Sequence, residues 1–476
     1  MKNNYGVLLP VSSLPGEHGI GDFGPSSFSF IDWLKENDYK YWQILPLNPL
    51  GPGYSPYMST CSKAFDSRYI SLKKLEEEGL LANVPSFNKN KEEVDYFIVG
   101  EFKEKYLKKA FLKFKDNGGM VALKKFKTRN PWVNDYATFE VFKKINNDKP
   151  WNEWDEKDRE WYKNHSTPPR KLLDEIDYSI FKQYIALKQY KSLFSYAKKN
   201  DVKIISDTPF YVGFDSVECW LNRDQFMFDE NNNQTQVGGV PPDLFSSDGQ
   251  LWGSPIYNFD KMKENGYSLL VDRIGYLGSL CDYLRLDHFR AFDTYYVIPG
   301  GASTARIGEW KIGPRDEFFS KLYEKYPNTK LIAEDLGILF PSVIELRDRL
   351  NLPGMYIVQF NVLNIKERSN ENLVVYSGTH DNETLYGWYL NLKDEDKLSL
   401  LERFNCKENE LYDYLFDFTY HSPSYMTIIP LQDLLMLDNK ARLNTPGTVG
   451  YPNFVWKLKD ESYKKKIIYP KNWMKR

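Results

Sequence analysis

The sequence predicts an α/β fold, a closed (β/α)8 TIM barrel. Two observations support it: apolar runs that each end in a carboxylate, and strands that alternate with helical patterns. Three such runs end in Asp287, Glu334 and Asp381. A short apolar run that stops abruptly at a charge is typical of a buried parallel strand. Because catalytic side chains of such barrels converge at the C-terminal ends of the strands, we expect the three acids to face one cleft.

Eight segments have the apolar character of barrel strands. In chain order they are Gly6–Val11, Tyr41–Pro46, Val202–Ser206, Tyr283–Leu286, Lys330–Ala333, Met355–Phe360, Leu373–Ser377 and Tyr425–Pro430. Eight strands around a single core favour a closed barrel over an open sheet.

Helical patterns lie between several of these strands. Ser26 and Ser27 are predicted to cap a short helix that ends near Asn37. Residues 177–199 carry apolar side chains at helical spacing, which predicts a long amphipathic helix before the third strand. Residues 342–350 repeat this arrangement after the fifth strand. The alternation of strand and helix favours a parallel sheet.

Two long intervals interrupt the alternation. We expect residues 1–476 to form a single catalytic barrel with insertion subdomains at approximately 50–200 and 208–282, and no separate C-terminal β-domain. Lysine-rich helical segments in the first interval predict that the insertions are helical. Because insertions leave a barrel at the C-terminal ends of its strands, they are expected to surround the active-site face.

Composition argues against several kinds of partner. A net charge of -2 gives no electrostatic basis for binding nucleic acid or an anionic membrane. No apolar window is long enough to span a bilayer and the N-terminus lacks a signal-peptide pattern, so we expect a cytoplasmic protein. The 4 cysteines form no CxxC motif and are expected to be free thiols. An aromatic content of 16% suits a cleft that stacks on sugar rings.

The three acids suit cleavage of a glycosidic bond, which needs a proton donor and a carboxylate that stabilises or traps an oxocarbenium-like carbon. Arg285 lies two residues before Asp287 on the same strand and faces the same side. It should lower the pKa of Asp287 and keep this nucleophile ionised. Glu334 is then the expected general acid/base, with a pKa raised by negative neighbours. Asp381, beside His380, is expected to hydrogen-bond sugar hydroxyls.

Two other interpretations of these acids stay open. Any single acid at a strand end can form a structural ion pair. A metal ion could also bind three adjacent pairs, Asp287-His288, Glu334-Asp335 and His380-Asp381. However, the chain has only 5 histidines and no HxH, HExxH or clustered-cysteine motif, so we expect no metal and no cofactor.

Three motifs carry a resemblance to a known family. Residues 285–290 read Arg-Leu-Asp-His-Phe-Arg, residues 332–337 read Ile-Ala-Glu-Asp-Leu-Gly, and residues 378–382 read Gly-Thr-His-Asp-Asn. The chain resembles the 4-α-glucanotransferases, or amylomaltases, which form glycoside hydrolase family 77 in the α-amylase clan. The resemblance runs nearly end to end, through further motifs that begin at Ser12, Gly19, Trp42, Ser55, Gly239, Gly249, Leu352 and Asn444.

The resemblance implies transfer of an α-1,4-glucan segment from a maltooligosaccharide to the 4-hydroxyl of glucose or another glucan, without a cofactor. It implies a retaining double displacement with Asp287 as nucleophile, Glu334 as general acid/base and Asp381 as transition-state stabiliser. The residues expected to support the acids are Arg285, His380 and Asp207. The residues expected to contact substrate are Ser55, Tyr57, Asp243, Trp252, His288 and Asn444.

Three positions depart from the family pattern. Pro52-Gly53-Tyr54 stands where Tyr-Gly-Asp/Asn is usual, Met58 replaces glutamine, and Arg315 replaces a common glycine. The first departure lies in a loop that helps to bind long glucans, so the preferred chain length stays open. The sequence also leaves open the oligomeric state (monomer or homodimer), the minimum donor, cyclic products and the ratio of hydrolysis to transfer.

Transfer rather than hydrolysis requires that the glycosyl-enzyme be shielded from water. Residues 237–257, with Pro241-Pro242, Phe245 and Trp252, are predicted to form a loop that supplies the shield. Two other functions stay open: an α-amylase-type hydrolase with the same acids, and a glucan-binding protein without turnover. The intact acids argue against the silent binder, and the family resemblance favours transfer over hydrolysis.

Overall fold

The computed structural model describes residues 4–164, 168–242, 247–363 and 369–466. The strands in that part of the chain form a parallel sheet of eight and an antiparallel sheet of four. In chain order they are β1 (Tyr5–Leu8), β2 (Tyr41–Gln43), β3 (Lys203–Thr208), β4 (Gln236–Val240), β5 (Gln250–Pro255), β6 (Tyr283–Leu286), β7 (Thr294–Pro299), β8 (Glu309–Ile312), β9 (Leu331–Ala333), β10 (Gly354–Ile357), β11 (Leu373–Tyr376) and β12 (Met426–Pro430).

The parallel sheet is the barrel predicted from the sequence. Its strand order is β10-β11-β12-β1-β2-β3-β6-β9, and every neighbouring pair is parallel. The amide of Ala333 in β9 donates to the carbonyl of Pro353 at 2.9 Å, which joins the two ends of the sheet. All eight predicted strands are found, although three end three residues before their predicted ends: β1 at Leu8, β2 at Gln43 and β10 at Ile357. In β10 the reason is a helical turn that begins at Val358.

Helices cover the barrel and fill the intervals between strands. In chain order the described helices are α1 (Pro25–Glu36), α2 (Leu72–Glu77), α3 (Tyr96–Asp116), α4 (Met120–Arg129), α5 (Trp132–Ile145), α6 (Glu156–Arg159), α7 (Trp161–Asn164), α8 (Leu173–Lys199), α9 (Val217–Leu221), α10 (Phe259–Glu264), α11 (Ser268–Gly278), α12 (Arg315–Lys325), α13 (Pro341–Arg349), α14 (Val358–Asn361), α15 (Leu385–Asn391), α16 (Asp394–Phe404), α17 (Leu411–His421), α18 (Leu431–Leu434) and α19 (Tyr463–Lys466). None of them is both long and apolar enough to cross a membrane.

The first helix shows where a capping prediction was wrong. Helix α1 begins at Pro25 with Gly24 as its N-cap, two residues before the first of the predicted capping serines. Asn37 follows its end as expected. Proline suits the first helical position because its φ is already helical and its missing N–H would have no partner there.

The interval between β2 and β3 is helical, and one buried lysine anchors it to the barrel. Lys103 of α3 is 1% exposed, and its Nζ lies 2.8 Å from Asp22 Oδ2. The same ammonium donates to the carbonyls of Arg68 and Ile70 at 2.7 and 2.9 Å. All three N–H donors of Lys103 are therefore satisfied inside the protein.

The antiparallel sheet, in the order β5-β4-β7-β8, was not predicted. Strands β4 and β5 belong to the predicted insertion 208–282, which is therefore not purely helical. They also turn both ends of residues 237–257, which were expected to form a loop, into a strand pair, while Phe245 lies outside the described residues. Gly238 and Gly239 interrupt the apolar pattern of β4, so the sequence carries no clear strand signal there.

Three apolar clusters are buried among the described residues: a small one at the antiparallel sheet and two that involve the barrel. Leu8, Ile205, Ile332, Val374 and Ile428 belong to the cluster of strand side chains that also includes Tyr376 and Met426. The larger cluster continues from the barrel into the helical interval and includes Leu107 of α3, Val133 of α5, Phe181 of α8 and Ile204 of β3. Each fully buried side chain of this kind contributes about 1.5–3 kcal/mol to folding. The helical interval and the barrel therefore share one core.

Candidate active site

Arg285 occupies the centre of a charged cluster at the C-terminal ends of β3 and β6. Its side chain is 3% exposed, and its Nη1 lies 2.7 Å from Asp207 Oδ2 and 3.0 Å from Asp287 Oδ1. The parallel register pairs Asp207 with Arg285 across the two strands, which places both side chains on the same face. One buried guanidinium is therefore shared by two carboxylates.

Opposing influences act on the pKa of Asp287. Burial raises the pKa of this carboxyl to about 7, the charges of Asp207 and Asp381 add to the rise, and Arg285 opposes it. The pKa of Asp287 is therefore raised, whereas the sequence-based expectation was a lowered pKa. The reason is that Arg285 is also paired with Asp207 and cannot offset the desolvation of Asp287. With 28% of its side chain exposed, Asp287 still faces the cleft.

Glu334, directly after β9, is held by the backbone that follows Asp287. Its Oε2 accepts a hydrogen bond from the amide of His288 at 2.6 Å, and its Oε1 accepts one from the amide of Leu336 at 3.3 Å. The amide of Phe289 donates to the Glu334 carbonyl at 3.0 Å. His288 has a left-handed backbone, φ 52° and ψ 47°, which turns this segment toward Glu334. The loops that carry the two acids are thus bonded to each other.

Burial raises the pKa of Glu334 well above its usual range, and the neighbouring charges of Asp287 and Asp335 add to the effect. The direction agrees with the sequence-based expectation, but desolvation rather than negative neighbours is the main cause. Arg285 forms its ion pair with Asp287 rather than with Glu334. Of the two carboxyls, Glu334 therefore holds its proton more tightly.

Asp381 lies in the loop after β11, where neutral side chains contact its carboxylate. Its Oδ1 accepts a hydrogen bond from Asn444 Nδ2 at 2.6 Å and lies 3.4 Å from His380 Nε2. Arg442 Nη2 donates to the backbone carbonyl of Asp381 at 2.8 Å. The predicted neighbours His380 and Asn444 are therefore both in contact with this acid.

Tyr57 links the Asp381 loop to the Arg285 cluster. Its hydroxyl donates to Asp207 Oδ2 at 2.8 Å and lies 2.8 Å from His380 Nε2. Burial lowers the pKa of His380, so the imidazole is neutral near pH 7. Because the Tyr57 proton is already directed to Asp207, Nε2 of His380 carries the imidazole proton and donates to Tyr57.

Aromatic rings and small polar groups line the cleft beside the acids. Trp252 of β5 packs edge-on against His288, with ring centroids 4.8 Å apart. Burial lowers the pKa of His288 to about 3, so this ring is also neutral. Ser55 Oγ accepts from the amide of Tyr57 at 3.3 Å, which holds the start of that segment. Asp243 lies outside the described residues.

Neither Arg442 nor the contacts of Tyr54 and Arg315 were predicted from the sequence. Arg442 also donates through Nε to the carbonyl of Asn444 at 2.7 Å, and its place two residues before the Asn444 motif is the only signal that could have found it. At the departures from the family pattern, Tyr54 stacks on Tyr96 at 5.0 Å, and Arg315 Nε pairs with Asp293 Oδ1 at 2.8 Å.

In the described part of the chain, no group of three or more His, Cys, Asp or Glu side chains could hold a metal ion.

Comparison with known proteins decides the family. The family model described as 4-alpha-glucanotransferase matches residues 9–463. This chain belongs to the 4-alpha-glucanotransferase family. Two curated 4-alpha-glucanotransferases are each 37% identical to it. The alignment with the protein from Streptococcus pneumoniae covers 97% of this chain and 94% of that protein. The alignment with the protein from Clostridium butyricum covers 96% of each.

The structure of amylomaltase from Streptococcus agalactiae in complex with acarbose matches with a TM-score of 0.91 and 36% identity, over 98% of this chain and 97% of that one. Amylomaltase from Corynebacterium glutamicum shares the fold at 17% identity, with a TM-score of 0.75 over 97% of this chain and 72% of that one. The predicted family, barrel fold and enzyme class are therefore confirmed.

Proposed function

We propose that this member of the 4-alpha-glucanotransferase family transfers α-1,4-glucan segments from a maltooligosaccharide to the 4-hydroxyl of glucose or another glucan, with retention of configuration. One observation carries the proposal: Asp287 and Glu334 lie on loops that are bonded to each other, yet only Asp287 is paired with a buried cation. Two carboxyls held close together with different protonation states are the requirement of a retaining double displacement.

In the first step, Glu334 donates its proton to the glycosidic oxygen as that bond breaks. A carboxylate oxygen of Asp287 forms a bond to the anomeric carbon, and the donor fragment with the free reducing end departs as an alcohol. Asp381 hydrogen-bonds sugar hydroxyls, and its bond from Asn444 keeps its position fixed as charge develops.

In the second step, the 4-hydroxyl of an acceptor sugar attacks the anomeric carbon. Glu334, now a carboxylate, takes the hydroxyl proton, and the bond to Asp287 breaks to regenerate its carboxylate. The same two residues therefore serve both halves of the reaction, and no cofactor is required.

The substrate class is supported by the names of the curated relatives and by the acarbose complex of the solved relative. In this chain, Trp252 packs against His288 and Tyr57 is bonded to Asp207, so both rings lie beside the acids. Aromatic faces combined with a few polar groups suit the C–H faces and hydroxyls of a sugar.

Incubation with maltotriose alone tests the reaction type. The expected products are glucose together with chains longer than three units, because a shortened donor fragment is passed to another sugar. Glucose and maltose with nothing longer would identify a hydrolase, and no change with maltotriose or longer maltodextrins would identify a binding protein. The product distribution is resolved by chain length.

Trapping the glycosyl-enzyme tests the residue roles. Glu334→Gln is expected to lose turnover of maltotriose but to react once with α-maltotriosyl fluoride, because fluoride departs without protonation. Mass spectrometry should then find the maltotriosyl group on a peptide that contains Asp287. Asp287→Asn should react with neither donor, and a label on any other residue would overturn the assignment. Unchanged far-ultraviolet circular dichroism of both variants provides the folding control.

A further inference from the structure

Asp433 is a buried carboxylate that the proposed reaction does not use directly. It lies in α18, the short helix after β12, and is 0% exposed. Its Oδ2 accepts a hydrogen bond from Ser377 Oγ at 2.6 Å, and its Oδ1 accepts one from the amide of Leu385 at 2.7 Å. Both carboxylate oxygens are therefore occupied by neutral donors.

The two donors lie at the two ends of the loop that carries His380 and Asp381. Ser377 follows the last residue of β11, and Leu385 is the first residue of α15. Residues 378–384 lie between them, so one side chain from a neighbouring barrel segment fixes where this loop leaves the strand and where it enters the helix. Loop ends that are fixed on a rigid element restrict the positions available to the side chains between them.

Asp433 is itself held in place. The hydroxyl of Tyr412 in α17 donates to the Asp433 backbone carbonyl at 3.0 Å. Near the tip of the loop, contacts come from other residues: Arg442 binds the Asp381 carbonyl, and Asn444 binds its carboxylate. At the helix end of the loop, Asn439 Oδ1 also accepts a hydrogen bond from the amide of Thr384 at 3.2 Å. Among the described residues, Asp433 is the one whose carboxylate is bonded to both ends of the loop, at Ser377 and at Leu385.

A buried carboxylate with neutral donors is costly for a purely structural purpose. Desolvation raises the pKa of Asp433 to about 7, and the opposing influences come only from Ser377 and the Leu385 amide. An apolar side chain would avoid this desolvation cost, but it could not bind a hydroxyl and an amide at once. The energetics therefore favour a geometric role.

We propose that Asp433 is a positioning residue that sets the location of Asp381, and with it the rate of glycosyl transfer, without contacting the substrate. The inference rests on the proposed role of Asp381. It explains why a carboxylate is buried behind the active-site loop, where a hydrophobic residue would pack at lower cost.

A double-mutant cycle tests the inference. Asp433→Asn, Asp381→Asn and the double variant are assayed for kcat and KM with α-maltotriosyl fluoride as donor and maltose as acceptor. In the wild-type background, Asp433→Asn should lower kcat on the order of 10- to 100-fold, because a misplaced catalytic group costs rate, while KM changes far less. In the Asp381→Asn background, the same change should cause no further loss.

The matched control is Asp282→Asn. Asp282 Oδ2 accepts a hydrogen bond from the amide of Ile204 at 2.9 Å near the opposite end of the barrel, so its replacement should leave kcat unchanged. Equal losses from Asp433→Asn in both backgrounds would overturn the inference and leave the proposed function intact. Wild-type activity of Asp381→Asn would overturn the proposed role of Asp381 instead.

A milder variant keeps the test decisive if Asp433→Asn does not fold. Ser377→Ala removes the donor at one end of the loop and leaves the bond from Leu385 in place. It should show a smaller fall in kcat that again disappears in the Asp381→Asn background. A loss that persists there would contradict the inference in the same way.

Discussion

Asp287 and Glu334 show how the surroundings of a residue divide one proton between two carboxyls. Both are desolvated, but Arg285 pairs with Asp287, whereas backbone amides hold Glu334. A cation offsets desolvation more strongly than a neutral donor does, so the charge stays on Asp287. In the proposed mechanism, the position of one guanidinium therefore decides which of the two residues is the acid.

Asp207→Asn should move the acidic limb of the pH profile to lower pH. The change removes a charge that raises the pKa of Asp287, and it ends the sharing of Arg285 between Asp207 and Asp287. Because the proposed nucleophile must be ionised, activity is expected to rise with pH through this pKa, which lies at about 7 in the unaltered protein. The measurement is kcat/KM against pH.

The control for that profile is Glu317→Gln, a change at an exposed ion pair with Lys263. It should leave the acidic limb in place. If the acidic limb of the Asp207→Asn profile is unchanged or moves to higher pH, the sharing of Arg285 between Asp207 and Asp287 does not set the pKa of Asp287. This conclusion holds whatever the absolute loss of rate.

The sequence predicted which side chains meet, but not their protonation. The period of two along a strand places Arg285 beside Asp287, and strand ends gather Asp207 and Glu334. The net pKa of Asp287 depends on the register between β3 and β6, which sets how Arg285 is shared. Neither that register nor the contacts of Asp433 leave a pattern in the residues nearby.

At the scale of elements, the buried ion pair between Lys103 of α3 and Asp22 should stabilise the folded protein strongly. Lys103→Met would leave Asp22 buried without its cation and should lower the free energy of unfolding by about 3–5 kcal/mol. Denaturant titration measures the change. The double variant Lys103→Met/Asp22→Asn should recover part of the loss, and a double variant no more stable than Lys103→Met would contradict the account.

Two glycine substitutions should have opposite effects because of the elements that contain them. A Cβ on Gly6 of β1 would lie 2.5 Å from the Tyr41 Cβ and 2.8 Å from its carbonyl oxygen, so Gly6→Ala should cost about 1–3 kcal/mol. A Cβ on Gly100 of α3 meets only Arg68 Cδ at 3.9 Å. Gly100→Ala should therefore stabilise the protein by about 0.5–1 kcal/mol through helix propensity. Thermal denaturation compares them, and shifts of the same sign would refute the prediction.

The predicted elements were those with an uninterrupted pattern. Barrel strands are buried on both faces, so they appear as short apolar runs that are easy to locate. Of the antiparallel strands, β4 and β5 contain glycine and β8 alternates polar and apolar residues, whereas β7 is an apolar run that was not predicted. The two central strands, β4 and β7, are also far apart in the sequence. Their existence depends on contacts that only the folded chain provides.

At the scale of the whole molecule, the shared core predicts a single unfolding transition. Side chains of α3, α5 and α8 belong to the same apolar cluster as β3, so the helical interval should not melt separately from the barrel. Far-ultraviolet circular dichroism, tryptophan fluorescence and activity should therefore give coincident midpoints in denaturant. The helical interval contributes Trp132, Trp151, Trp154 and Trp161 to the fluorescence. An earlier fluorescence midpoint would indicate independent unfolding.

The shared guanidinium has a consequence for the electrostatic balance of the proposed cycle. When Asp287 becomes bonded to the sugar it loses its charge, but Arg285 still has Asp207 at 2.7 Å as a counter-ion. Arg285 therefore keeps a counter-ion in the covalent intermediate. A buried cation without a counter-ion would destabilise that intermediate. The same neutralisation removes an anion beside Glu334 and lowers the proton affinity of that residue, so Glu334 becomes a base when the acceptor arrives.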